Sequence, residues 1–253
     1  MPVTLPQSPP SFRPLAPPTP GAPEREAVRS MFDRIAPRYD LLNRLLSAGT
    51  DRRWRRACVD FLDLSAPARL LDLCTGTADL LIEALERDPR HRGVGLDLSA
   101  EMLRRADRKV LRRGLQPRAS LAAADAERLP VAAARFDGAL VAFGIRNVGD
   151  PAAALAELRR VLRPGGRLVV LEFGTPRGPL GALYRLYFER VLPRIGRLVS
   201  GDGGAYRYLP LSVARFPGPD GFCALLERAG FAAVSRRPLT LGIAWLYRGD
   251  VPA

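Results

Sequence analysis

Residues Arg69–Arg87 read RLLDLCTGTADLLIEALER, and this stretch decides the fold. After Arg69, the run to Cys74 is apolar but for Asp72, the composition of a buried strand. A turn with a single glycine, Thr75-Gly76-Thr77-Ala78-Asp79, follows. Thr77–Arg87 then carries apolar residues at helical spacing. Strand, glycine turn and helix in that order make the opening unit of a doubly wound α/β sheet.

The same rhythm continues downstream. Arg92–Asp97 (RGVGLD) reads as a second strand, and Ser99 can cap the next helix, whose Leu103, Ala106 and Val110 share a face and which Gly114 closes. Ser120–Ala124 is a third strand and Phe136–Phe143 (FDGALVAF) a fourth. Asp150-Pro151 pairs an N-cap with a first-turn proline and opens a helix through Leu155, Leu158 and Leu162. The RPGG at Arg163–Gly166 predicts a turn into a fifth strand, Arg167–Phe173 (RLVVLEF). Amphipathic helices are expected over 178–199 and 219–229, and an antiparallel pair of strands near 231–237 and 242–248. The expected sheet is seven-stranded and mostly parallel.

Upstream, 1–23 holds nine prolines and no acidic residue, and reads as a disordered tail without the apolar core of a secretory signal. Residues 24–64 read helical, with Val28, Met31, Phe32 and Ile35 in phase, and are expected to form a lid on the main domain of residues 65–253. A helical insertion on the substrate side is expected near 178–215.

Composition removes several function classes. The longest uncharged apolar stretch, Pro238–Tyr247, has ten residues, against roughly 20 for a membrane-spanning helix. Cys58, Cys74 and Cys223 are odd in number and widely spaced, which argues against a disulfide scaffold and for a reduced, cytoplasmic protein. His91 is the only histidine, so a histidine-based metal site is not expected; the strand that follows puts it on the opposite edge from the glycine turn. The net charge is +13, and all but one of the 39 Lys and Arg residues are Arg. A basic surface of this kind suits anionic lipid, nucleic acid or simple solvation. No recognition helix or interleaved aromatic pattern supports nucleic acid.

Ligands in doubly wound sheets bind at the carboxyl ends of the strands, beside the first. Gly76 lets a ligand approach the backbone, and Asp97 ends the second strand 21 residues later, where an acid takes the hydroxyls of a ribose. A dinucleotide would need GxGxxG amides around its pyrophosphate. Here one glycine stands between Asp72 and Asp79, acids that suit a cationic sulfonium and an amino group instead. Asp125-Ala126, after the third strand, supplies an adenine-edge position. These residues favour S-adenosylmethionine over a nicotinamide cofactor.

The chain also resembles the ubiquinone/menaquinone-biosynthesis C-methyltransferase family, within the class I S-adenosylmethionine-dependent methyltransferases. The carrying segments are MFDRIAPRYDLLNRLLSAGTDRRWRR (Met31–Arg56), LDLCTGTAD (Leu71–Asp79), FGIRNVGDPAAAL (Phe143–Leu155), LRPGGRLVVLEFGTP (Leu162–Pro176) and YRYLPLSVARFP (Tyr206–Pro217). Two positions depart from the family pattern. Ala78 stands where the family usually has Gly, which matters if that residue needs a positive φ. Ala142 stands where the family often has Ser.

The resemblance implies that Thr77, Asp97 and Asp125-Ala126 contact the cofactor, with Ala142 contributing backbone only. The implied reaction is methylation of a ring carbon on a polyprenylated hydroquinone, demethylmenaquinol in the first instance, with a ubiquinone-pathway benzoquinol, or methylation of another phenolic small molecule, as the alternatives. Such a reaction needs a hydroquinone proton lost and the ring carbon held in line with the methyl, roughly 3–3.5 Å away; it needs no metal. Arg146-Asn147, just past the fourth strand, are expected on the substrate side, with Arg146 stabilising the phenolate or, alternatively, forming a structural ion pair. Tyr39, Asp40 and Asn43 of the lid are expected to hold the other ring oxygen or to close over the cofactor, packing of the helix on the core being the alternative. Leu41, Leu42, Leu45 and Leu46 beside Arg52, Arg53, Arg55 and Arg56, together with the 178–199 helix, suggest peripheral contact at the inner membrane face. Oligomeric state is not legible, a homodimer being one option.

Overall fold

The structure is a computed structural model that describes residues 25–47, 49–64, 67–176, 181, 186 and 203–253. The expected tail and 178–199 helix therefore lie outside the described residues, apart from the isolated positions 181 and 186.

Among the described residues, three helices precede the sheet: α1 (Arg25–Ile35), α2 (Tyr39–Leu46) and α3 (Asp51–Leu62). The expected single helical stretch breaks at a short 3₁₀ turn, Ala36–Arg38. Pro37 inside that turn lacks an N–H and cannot continue an α-helical ladder. A second break carries Gly49 at φ +76°.

The alternating unit follows as β1 (Arg69–Leu73), α4 (Asp79–Arg87), β2 (Arg92–Asp97), α5 (Ala100–Arg112), β3 (Ala119–Ala123), β4 (Phe136–Ala142), α6 (Pro151–Val161) and β5 (Leu162–Phe173). Then come α7 (Gly203–Arg215), α8 (Pro219–Arg228), β6 (Ala232–Leu239) and β7 (Ala244–Asp250). Seven strands form one sheet in the order β3-β2-β1-β4-β5-β7-β6. β1 through β5 are parallel, while β7 runs antiparallel to both β5 and β6. Strand order reverses between β1 and β4, so a crevice opens above their carboxyl ends.

Side chains alternate across the sheet, and both faces are covered. Leu168 and Val170 on β5 pack on one side with Leu155 and Leu158 of α6 and Phe222 and Leu226 of α8. Val169 and Leu171 pack on the other, with Trp54, Cys58 and Leu62 of α3 and Leu80 of α4. Buried on both faces, the central strands read as near-continuous apolar runs. The caps stand where the sequence puts them: Ser99 Oγ accepts from the Met102 N–H at 3.1 Å, and Asp150 accepts from Ala152 and Ala153. His91 Nδ1 accepts from the Ala68 N–H at 3.2 Å, a structural bond away from the crevice.

One expectation needs correction. Arg163–Gly166 is not a free turn but an irregular start to β5, across which the pairing with β4 slips from Phe136↔Leu162 to Gly138↔Arg167. Gly165 (φ +74°) and Gly166 are held there by Val251, through N–H to O bonds of 2.9 and 2.8 Å. No helix among the described residues is long and apolar enough to cross a membrane.

Candidate active site

The loop after β1 is tightly wound. Cys74, Gly76 and Ala78 all have positive φ, at 56°, 55° and 65°. Asp72 braces it from below: its Oδ2 accepts from Thr75 Oγ1 at 2.6 Å and from the Leu81 N–H at 3.2 Å. Burial pushes the Asp72 carboxyl up to about 7. Thr75 is pinned further by its N–H to Leu96 O. The loop thus presents Gly76 at the crevice and keeps Asp72 out of it.

Asp97, at the end of β2, is shared between loop and helix. Oδ2 accepts from the Gly76 N–H and Oδ1 from the Ser99 N–H, both at 2.8 Å. Burial pushes this carboxyl above its ordinary range. A cleft open to solvent lies over it. Of the residues expected in the site, Tyr39, Gly76, Asp97, Asp125, Ala126, Ala142 and Asn147 line this cleft. Leu98, Met102 and Phe143 add apolar walls, and α1 roofs it with Val28 and Phe32.

Among the described residues, two acceptors in the lining lack an aligned donor. Asn147 donates its Nδ2 to Phe143 O at 3.2 Å and leaves a buried Oδ1 unpartnered. Asp125 Oδ1 accepts from the Glu127 N–H at 3.0 Å, whereas Oδ2 lies 3.3 Å from Arg25 Nη1 with no aligned hydrogen bond. Arg25 also pairs with Glu127, so α1 is tied to the β3 side of the cleft. Buried acceptors without donors cost free energy. A ligand with hydroxyls and an exocyclic amine meets that need, so the residues present fit an adenosine-bearing group.

Four expected residues lie elsewhere. Arg146 does not line the cleft. Its Nη1 donates to Phe143 O at 2.5 Å and to Glu172 Oε1 at 2.6 Å, and its Nε to Ser212 Oγ at 3.3 Å. The guanidinium is 7% exposed and Glu172 is fully buried. Direct contact between Arg146 and a ligand in the cleft is thus not what the geometry brings about; the ion-pair alternative is. Thr77 and Asp40 are joined to each other, Thr77 Oγ1 donating to Asp40 Oδ1 at 2.6 Å, and Lys109 Nζ donates to both. They sit beside the cleft, outside its lining. Asn43 shares a hydrogen bond with the Tyr39 phenol, whose pKa desolvation raises.

Two further expectations change. The acids flanking Gly76 do not face a ligand: Asp72 lies under the loop, and Asp79 pairs with Lys109 and with Arg55 Nη2 at 3.3 Å. Arg55, expected in an exposed basic cluster, is 13% exposed and turned in toward Asp51 and Asp79. Arg52, Arg53 and Leu41 are exposed as expected, while the side chains of Leu42, Leu45 and Leu46 lie outside the described residues.

Reading the sequence missed Lys109, Arg25, Glu172 and Ser212. Glu172 had a signal, being the one acid in the apolar run RLVVLEF. Lys109 had another as the only lysine. Arg25 and Ser212 had none, since their partners come from the far side of the chain.

Comparison with known proteins agrees with this geometry. The profile of the ubiE/COQ5 methyltransferase family matches residues 21–250. The chain belongs to that family. A demethylmenaquinone methyltransferase of Thermus thermophilus is 53% identical over 88% of this chain and 100% of its own length. A ubiquinone/menaquinone biosynthesis C-methyltransferase of Syntrophotalea carbinolica is 54% identical over 88% of this chain and 93% of its own. Among solved structures, the cyclase SpnF superposes with a TM-score of 0.70 at 19% identity, covering 92% of this chain and 98% of its own. A Thermotoga maritima protein described as an S-adenosylmethionine-dependent methyltransferase gives 0.62 at 20% identity, covering 88% and 99%. At those identities the likeness is one of fold, and a family methyltransferase shares its architecture with a cyclase.

Proposed function

We propose that this methyltransferase transfers the methyl group of S-adenosylmethionine to a ring carbon of a polyprenylated hydroquinone, turning demethylmenaquinol into menaquinol. One observation carries the reading: Asp97, Asp125 and Asn147 line a single cleft at the switch point of the sheet, in a chain 53% identical, over 88% of its length, to a relative named for that reaction.

When bound, the cofactor supplies an electrophilic methyl on a cationic sulfur. Asp97, fixed by the Gly76 and Ser99 amides, would accept from the ribose hydroxyls. Asp125 and Ala126 would meet the adenine edge, with Ala142 offering backbone. Thr77 acts from behind the loop, through its bond to Asp40.

On the substrate side, Tyr39 and Asn147 face the cleft and suit the ring oxygens. Asn43 steadies Tyr39. Arg146 is a positioning residue here. It and Asn147 donate to the same acceptor, Phe143 O, so the buried Arg146–Glu172 pair sets the turn that aims Asn147 inward.

The test supplies S-adenosylmethionine with chemically reduced demethylmenaquinone and reads the lipid by mass spectrometry. A ring hydrogen replaced by methyl, with release of the proton and a net gain of one CH2, is expected. A demethylated ubiquinol run in parallel decides between the two quinone classes, which the second relative's name joins. No methylation of either quinol would overturn the reading.

A further inference from the structure

Lysine occurs once in this chain, at position 109, while the remaining 38 of its 39 Lys and Arg residues are arginine. Its surroundings give a reason. Lys109, on α5, points its ammonium at three acceptors from three places: Asp40 Oδ2 on α2 at 2.9 Å, Thr77 Oγ1 in the loop after β1 at 3.0 Å, and Asp79 Oδ1 at the start of α4. Thr77 turns its own proton to Asp40 Oδ1, which leaves its lone pair for the ammonium. Three donors on a tetrahedral nitrogen match three acceptors at one point; a planar guanidinium spreads its donors over a wider fork.

What the ammonium grips matters for the cleft. Asp40 follows Tyr39, and Thr77 follows Gly76. Tyr39 and Gly76 meet in the cleft lining, where Tyr39 Cε1 stands 3.9 Å from the Cβ position of Gly76. Burial alone would raise the Asp40 carboxyl, but Lys109 and Thr77 outweigh it and hold that carboxyl below its ordinary range. The contact is thus an ionised one.

We propose that Lys109 is the latch that holds the N-terminal lid on the cofactor loop, a positioning residue that fixes Tyr39 over Gly76 and whose three-acceptor seat requires an ammonium. The proposal rests on the reading of the cleft as the cofactor site. The two carboxylates of the latch are partly open to water, Asp40 43% and Asp79 32% exposed, around a Lys109 side chain that is 17% exposed. Those carboxylates can therefore rehydrate when Lys109 is removed, and the domain stays folded.

The experiment compares Lys109→Arg, Lys109→Met and Asp40→Asn with the wild-type chain. Hydrogen exchange over residues 25–46 without ligand reads the lid, calorimetric titration with S-adenosylhomocysteine reads the site, and a melting curve controls for folding. All three variants are expected to melt within a few degrees of wild type and to exchange faster in α2. Each should bind S-adenosylhomocysteine about tenfold more weakly, the scale of one charge-assisted hydrogen bond. The double variant Lys109→Met/Asp40→Asn should lose no more than either single one.

Wild-type exchange and affinity in Lys109→Arg would overturn the proposal, because charge alone would then suffice. Lower melting temperatures with unchanged affinity in the folded fraction would overturn it too, leaving a purely structural contact. If the wild-type chain bound no S-adenosylhomocysteine while the variants still exchanged faster, the latch would stand and the cofactor reading would fall.

Discussion

Gly76 donates its N–H to Asp97 Oδ2 at 2.8 Å, so the glycine turn and the acid 21 residues downstream form one unit. The carboxylate that would hold a ribose is thus also the one that shapes the loop. Replacing Asp97 by Ala should weaken S-adenosylmethionine binding by about 1.5–3 kcal/mol, the scale of a hydrogen bond to a charged group. Calorimetry on the folded variant checks this, with unchanged affinity removing Asp97 from the site.

Ala78 tests the strain of the same loop. It is fully buried at φ +65°. Glycine would relieve about 1–2 kcal/mol of left-handed strain but lose about 0.8 kcal/mol of methyl burial and add chain entropy. Ala78→Gly should therefore shift stability by less than about 1 kcal/mol by this balance. Valine adds volume to a filled site and a branched Cβ at positive φ, so Ala78→Val should lower the midpoint of denaturant unfolding clearly. A harmless valine would show that the loop is not held in this conformation.

Asp72 makes a pH prediction. Its carboxyl, ordinarily near 3.8, is pushed up to about 7 by burial. Between those values the folded chain holds a proton that the unfolded chain has released, so stability falls as pH rises through that window. Asp72→Asn keeps an acceptor for Thr75 and Leu81 but cannot titrate. The stability of wild type relative to Asp72→Asn should decline from about pH 4 to about pH 7, where the carboxyl of a shifted acid ionises. A flat difference would mean the shift is absent.

The Arg146–Glu172 pair separates structure from chemistry. Arg146→Ala strands a buried carboxylate and should cost about 3–5 kcal/mol of stability. Replacing both members, as in Arg146→Met/Glu172→Leu, restores an apolar match and should recover most of that loss. If the pair also serves the reaction, the double variant should remain about 10²–10³ slower in a single turnover, as when a charge-stabilising donor is lost. A normal single-turnover rate in the folded double variant would reduce the pair to architecture.

Much of the fold was legible because local signals and the sheet agree. β2 matches its expected bounds, and the Ser99 and Asp150 caps stand where their residue types placed them. RPGG misled because its glycines permit a turn, while Val251, distant in sequence, recruits them into the sheet. In the site, Asp97, Asp125 and Asn147 were readable from their position at or just past strand ends. Arg146, Asp40 and Asp79 were not, because their side chains are claimed by Glu172, Lys109 and Arg55 across long separations. Local pattern places a residue at an end of the sheet; only tertiary pairing decides whether it faces the cleft.

The position of β7 has a consequence for synthesis. β6 is made before β7, yet within the described sheet its partner is β7, which also covers the open side of β5. As the chain emerges from the ribosome, β5 and β6 each keep a bare hydrogen-bonding edge until residues 244–250 are free to slide between them. A nascent chain stalled short of that point exposes two such edges, the kind of surface that seeds aggregation and invites chaperones.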